Sequence, residues 1–163
     1  MIIEALGVER RAVTTVLDAL VARGQTLATA ESLTAGLLCA AVTEVAGASA
    51  AVRGGVVVYA TDLKTRLAGV DPALLDRVGA VHPDVAGQLA SGARDRCGAD
   101  WGVGLTGVAG PSPQDGVEPG TVHVGVAGPD GVEVHTVVLD GDRHAVRAGA
   151  VRVALRHLGE SLA

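Results

Sequence analysis

Gly54-Gly55-Val56-Val57-Val58-Tyr59, running on through Ala60-Thr61-Asp62-Leu63 to Lys64, is the stretch on which the fold turns. Three consecutive valines behind a glycine pair make the clearest strand in the chain by β-branched content. From Ala60 the pattern becomes helical, through Leu63, Leu67 and Ala68. A strand that hands over directly to a helix is a building unit of an α/β fold.

The neighbouring segments agree. On the N-terminal side, residues 8–23 place Val13, Val16, Leu17, Leu20 and Val21 at helical spacing, and Gly24 ends the run. Thr26 to Ala30 reads as a short buried strand, followed by a helix from about Leu33 to Val45 that Gly47 stops. On the C-terminal side, Asp71-Pro72 and His82-Pro83 each open a helix, the second running to about Cys97. Trp101 to Leu105 is a third strand, and a loop rich in Gly and Pro extends from Thr106 to Pro119. Residues 121–127 and 132–139 pair as a hairpin around Gly128-Pro129-Asp130-Gly131. A last helix runs from near Asp142 to about Leu162, with Val151, Leu155, Leu158 and Leu162 inward. Early strands separated by helices, then a late hairpin, predict a mixed sheet covered by helices. The expectation is a three-layer α/β/α fold forming one domain over residues 1–163, with no repeat and no linker.

Composition narrows the function. The chain is 48% apolar, has no Phe, and has one Trp (Trp101) and one Tyr (Tyr59), so its core must be aliphatic and closely packed. A net charge of -5 with scattered arginines leaves no footprint for nucleic acid. No stretch has the layout of a signal peptide or the length of a membrane span, so a cytoplasmic enzyme is expected. Cys39 and Cys97 fit neither a CxxC nor a metal pattern and read as reduced core thiols. The five histidines have no metal-site spacing; His123 and His135 are expected to face solvent across the hairpin. No metal and no cofactor is expected.

The cations are uneven: twelve arginines and a single lysine, Lys64, five residues after the single tyrosine. Arg stays protonated at any usable pH, whereas a desolvated Lys can lose its proton and act as a base. Four loops are candidates to work with it. In Ala30-Glu31-Ser32-Leu33-Thr34-Ala35-Gly36, at a strand-to-helix junction, Ser32 either caps the helix or helps to hold an anion. In Ala46-Gly47-Ala48-Ser49, Ser49 either caps a short turn or serves as a nucleophile that a Lys activates. Thr106-Gly107-Val108-Ala109-Gly110-Pro111 follows a strand, and its small residues let backbone approach a ligand. Arg143 and Arg147 share a face at the start of the last helix, where cations oppose the macrodipole unless an anionic ligand is bound.

These segments, in this order, resemble the CinA C-terminal domain family, whose characterised members are nicotinamide-nucleotide amidohydrolases. The resemblance rests on Ala30-Glu31-Ser32 with Thr34 and Gly36, Gly47-Ala48-Ser49, and Gly54 to Tyr59 with Lys64. It continues through Gly79-Ala80-Val81, Thr106 to Pro111, Pro119-Gly120-Thr121-Val122 and Gly141-Asp142-Arg143. It implies deamidation of nicotinamide mononucleotide to nicotinic acid mononucleotide and ammonia, by a stand-alone form without the N-terminal domain of larger CinA proteins. It assigns the nucleophile to Ser49, the base to Lys64 and an assisting role to Tyr59. Ser32, Thr106 and Arg143 match binding-site positions, with Thr34, Gly36, Gly107 and Ala109 in the same loops. Arg143, joined by Arg147, would suit the 5′-phosphate.

The implied partner is a small nucleotide, with no nucleic acid and no membrane, in a homodimer or higher homo-oligomer. The alternatives are a nucleotide-binding regulatory module of the same fold and an amidase for another small amide. The chain departs from the family's usual pattern at Ala35, Ala48, Ala60-Thr61, His82 and Glu118, all of them in or next to these motifs.

Overall fold

Three parallel strands continued by an antiparallel pair form the sheet in the computed structural model, which describes residues 1–163. They are β1 (Leu27–Glu31), β2 (Val52–Val57), β3 (Trp101–Gly107), β4 (Thr121–Gly128) and β5 (Gly131–Val138), in spatial order β2-β1-β3-β4-β5. β1 lies parallel to both β2 and β3, with Leu27 opposite Val52 and Trp101 at one end and Glu31 opposite Val57 and Leu105 at the other. The hairpin of β4 and β5 turns through Pro129 and Asp130, as its turn residues predict.

The helices are α1 (Ile2–Ala5), α2 (Arg10–Arg23), α3 (Leu37–Thr43), α4 (Thr61–Ala68), α5 (Pro72–Val78), α6 (Pro83–Cys97) and α7 (Arg143–Ser161), with a 3₁₀ turn at Ala48–Ala50. Alternation along the strands assigns them to two faces. Leu27, Val103, Leu105, Val124 and Val126 pack with α1, α2, α3 and α7 in one apolar cluster. Ala28 and Ala30 point the other way, into a cluster with Val58, just past β2, and Ala68, Leu74, Val85, Leu89 and Ala93 from α4, α5 and α6. The three-layer α/β/α expectation therefore holds.

Glycine takes the place that aromatic packing fills in other cores. α6 lies so close to the sheet that a Cβ at Gly102 or Gly104 would overlap the backbone of Ala90, and one at Gly125 the backbone of Ala86. Ends follow local chemistry. Asp71 and Asp142 cap α5 and α7 by accepting from Ala73 N and Ala145 N, each at 2.9 Å. His82 caps α6 through Nδ1, which accepts from Asp84 N at 3.2 Å. Trp101, at the N-terminal end of β3, donates from Nε1 to Gln25 Oε1 at 2.8 Å.

Four local expectations change. β2 begins at Val52 and ends at Val57, so Val58 and Tyr59 lie beyond it. α3 begins at Leu37, not Leu33, because Ala35 and Gly36 turn the chain with φ of 48° and 94°. His123 is 6% exposed with Nδ1 2.8 Å from Thr136 Oγ1, while the half-buried His135 stacks on His157 with centroids 3.5 Å apart; the two do not form the solvent-facing pair expected. Cys39 and Cys97 are free and only half-buried, so they are not core thiols. No helix is long and apolar enough to cross a membrane.

Candidate active site

Lys64, on the first turn and a half of α4, is 1% exposed and faces inward across the carboxyl end of the parallel strands. Its Nζ makes three hydrogen bonds, to Val58 O at 2.8 Å, Ser32 Oγ at 3.1 Å and Tyr59 O at 3.3 Å. No carboxylate pairs with it among the ion pairs of the chain. Burial without a counter-charge disfavours the ammonium and lowers its pKa from 10.5 to about 8. The arrangement suits a base: an ammonium donates to all three oxygens, whereas the neutral amine keeps two N–H groups for the two carbonyls. Its lone pair is then left for the Ser32 hydroxyl.

Ser32 follows β1 directly and is 9% exposed. Its N–H donates to Leu105 O at 3.0 Å, tying it to the end of β3, and its carbonyl accepts from Ala35 N at 3.0 Å. Glu31, one residue earlier, is a buried carboxylate whose oxygens accept from Leu38 N at 2.9 Å, Cys39 N at 3.0 Å and Thr29 Oγ1 at 3.0 Å. On the far side of the same turn Arg147 donates from Nε to Leu33 O at 2.9 Å and from an Nη to Thr34 O at 3.4 Å. The N–H groups of Leu33 and Thr34 donate to nothing within the chain.

Ser32, Leu33, Tyr59, Thr106 and Arg143 open onto a cavity of about 160 Å³. The loop from Gly107 to Gly110 forms its other wall, with Ser112 and Gln114 at the rim. Arg143 spans the mouth, donating to Gly110 O at 2.8 Å and to Tyr59 Oη at 3.0 Å.

The sequence expectations divide on this geometry. Lys64, Tyr59, Ser32, Thr106, Gly107, Ala109 and Arg143 come together. Ser49 does not: it is exposed on the 3₁₀ turn that precedes β2. Ser32 follows the carboxyl end of β1, which runs parallel to β2, so the sheet separates the two serines. Five residues of strand span about 16 Å. Lys64 cannot serve Ser49 as base, and the serine within its reach is Ser32. Tyr59 meets Lys64 through its carbonyl; its hydroxyl is turned to Arg143. Thr106 spends its hydroxyl proton on Ala80 O at 2.7 Å, leaving it lone pairs for a ligand. Arg147 and the fully buried Thr34 are outside the cavity lining, as is Gly36. Ser112, Gln114 and the bracing role of Glu31 were not anticipated, since nothing in a Gly/Pro-rich loop marks which polar side chains turn inward.

The comparisons with known proteins agree with the fold. Residues 9–162 match the CinA C-terminal domain. The chain belongs to this family.

A CinA-like protein of Frankia casuarinae is 52% identical over 140 residues, covering 86% of the chain and 32% of the relative. A putative competence-damage inducible protein of Geobacillus kaustophilus is 43% identical over 152 residues, covering 92% of the chain and 36% of the relative. The chain thus spans about a third of the length of the curated relatives it matches. Among solved structures, a competence-damaged protein (CinA) superfamily protein of Klebsiella pneumoniae superposes with a TM-score of 0.89 at 35% identity, covering 93% of this chain and 96% of that one. The competence/damage inducible protein CihA of Agrobacterium tumefaciens gives 0.87 at 35% identity, covering 93% of each.

Proposed function

We propose that this CinA domain hydrolyses the carboxamide of a phosphorylated pyridine nucleotide, nicotinamide mononucleotide being the substrate that the family resemblance favours. The observation that carries the reading is the buried Lys64 amine 3.1 Å from Ser32 Oγ, with no carboxylate to hold its proton. In the neutral form Lys64 accepts the Ser32 proton as Oγ attacks the carboxamide carbon. The negative oxygen of the tetrahedral intermediate is held by the unengaged N–H group of Leu33, a residue of the cavity lining. Lys64 then passes its proton to the amide nitrogen, the C–N bond breaks and ammonia leaves an acyl ester on Ser32. Water attacks that ester with Lys64 again taking the proton, and the acid is released.

Arg143 supports the phosphorylated part of the reading. Its two hydrogen bonds leave three of five guanidinium N–H donors at the cavity mouth.

The test is ammonia release from nicotinamide mononucleotide by the purified chain, by Ser32→Ala, by Lys64→Ala and by Ser49→Ala. Turnover is expected in the parent and in Ser49→Ala alone. Activity surviving in Ser32→Ala would sink the assignment of the nucleophile. Tight nucleotide binding with no turnover in the parent would favour the regulatory-module reading.

A further inference from the structure

Hydrolysis of an amide ends in a carboxylate, and Lys64 is a buried cation that no charged group faces from the elements around it. Glu31 of β1 commits its carboxylate to Leu38 N, Cys39 N and Thr29 Oγ1. On α4 itself Asp62 and Arg66 pair with each other on the exposed side, and Asp76 and Arg77 of α5 are exposed. Before and on the first turn of α6, His82 Nδ1 lies 3.7 Å from Asp84 Oδ2, and the other charges of that helix, Arg94 to Arg96, are at its far end. Arg143 of α7 is held at the cavity mouth by Gly110 O and Tyr59 Oη.

The last step of hydrolysis creates the counter-charge that the fold omits. Breaking the C–O bond of the Ser32 ester returns the proton on Lys64 to Ser32 Oγ, and leaves a carboxylic acid beside a neutral amine. Such an acid has a pKa of about 4, well below the value of about 8 for Lys64. The acid therefore gives its proton to Ser32 Oγ while the Ser32 proton passes to Nζ, and a carboxylate and an ammonium result.

Ser32 Oγ, on the cavity wall and 3.1 Å from Nζ, joins the two charges. The ammonium directs its three donors to Val58 O, Tyr59 O and Ser32 Oγ. The Ser32 hydroxyl, already an acceptor, is then free to donate its own proton into the cavity, where a carboxylate accepts it. With the neutral amine the direction reverses. Ser32 donates to Nζ and offers the cavity only lone pairs, which attack an amide carbon but repel a carboxylate.

We propose that the acid product is held through the Ser32 hydroxyl by the ammonium form of Lys64, so that the site is inhibited by the pyridine-nucleotide carboxylate it makes. This rests on hydrolysis at Ser32 and adds its regulation: neutral Lys64 serves the amide, and protonated Lys64 retains the acid.

The experiment is calorimetric binding of nicotinic acid mononucleotide to the parent chain, Lys64→Met and Lys64→Arg, in buffers of different ionisation enthalpy. It runs above the second phosphate pKa of about 6, so that the phosphate keeps one charge throughout. In the parent, affinity is expected to be nearly level up to about pH 8 and to fall close to tenfold per unit above it. About one proton should be taken up per acid bound one unit above that pH. Lys64→Met should bind the acid about tenfold or more weakly at neutral pH. Lys64→Arg, a cation at every pH, should bind it without pH dependence. Absence of binding, or an affinity unchanged across this range with no proton uptake, overturns the proposal. So does a Lys64→Met chain that binds the acid as tightly as the parent. Where a variant does not fold, the parent's own pH series decides. A parent that releases no ammonia yet binds the acid with this pH dependence refutes the hydrolytic reading and leaves the carboxylate site standing. A parent that releases ammonia and binds the acid without it does the reverse.

Discussion

Lys64 Nζ and Ser32 Oγ lie 3.1 Å apart at the end of the parallel strands, and neither residue is more than 9% exposed. A hydroxyl and an amine sealed together in this way form a proton-transfer pair whose behaviour depends on the amine's charge.

Activity should therefore follow the neutral fraction of Lys64. With a pKa of about 8, kcat/KM is expected to rise close to tenfold per pH unit below that value and to level off above it. A pH–rate profile measured on the parent chain checks this. A rise centred near pH 6 would point to a histidine and remove Lys64 from the role of base.

The same buried amine costs stability. Its folded pKa lies below the unfolded value of 10.5, so between about pH 8 and 10.5 the unfolded chain binds more protons than the folded one. Stability contributed by this group thus increases as pH rises through that window, and the penalty is complete below pH 8. The shift corresponds to about 3 kcal/mol. Lys64→Met should be inactive yet more stable than the parent at pH 7, by up to that amount, in denaturant unfolding. Its advantage should shrink as the pH approaches 10.

Arg143 and Tyr59 should separate from Lys64 in their effects. Arg143→Ala is expected to raise KM for a phosphorylated substrate by 10- to 100-fold, the worth of about 1.5–3 kcal/mol in lost charged hydrogen bonds. The corresponding dephosphorylated nucleoside should notice the change little. Tyr59→Phe removes only the hydroxyl that Arg143 donates to, and should leave kcat within about threefold. Steady-state kinetics on the two substrates measure both.

Two small substitutions test the backbone. Ala35→Gly relieves a left-handed alanine and should stabilise the chain by about 1 kcal/mol in chemical denaturation. Gly104→Ala sets a methyl against the α6 backbone at Ala86 and Ala90 and should destabilise it by about 3 kcal/mol. Either result with the opposite sign would show that the backbone there has room to move.

The fold was largely legible because its signals are local. The Asp-Pro and His-Pro helix openings, the hairpin turn and the valine-rich strands each follow from the residues within a few positions. The late start of α3 was not legible, since Ser32 to Gly36 shares its composition with a helix entry and only the backbone angles of Ala35 and Gly36 tell them apart. At the site, burial separates the residues that the sequence reading had grouped. A lone lysine among arginines singled out Lys64, which proves buried, and family resemblance placed the nucleophile at Ser49, which is exposed. Ser49 and Tyr59 bracket the same strand, however, so they stand at opposite ends of it. Strand length alone carries that information. The partners of Arg147 and Glu31 depend on contacts up to 114 residues apart, which no spacing rule reaches.

The single tyrosine and the single tryptophan stand at opposite ends of the sheet, Tyr59 beyond β2 at the cavity mouth and Trp101 where β3 begins. The chain thereby carries two intrinsic chromophores with separate duties. Trp101, held by Gln25 away from the cavity, gives an emission signal that reports unfolding and stays indifferent to what occupies the site. Tyr59, hydrogen-bonded to Arg143, gives an absorbance difference that responds when a ligand draws that guanidinium away. Occupancy and folding can be followed side by side in one cuvette, with no label attached.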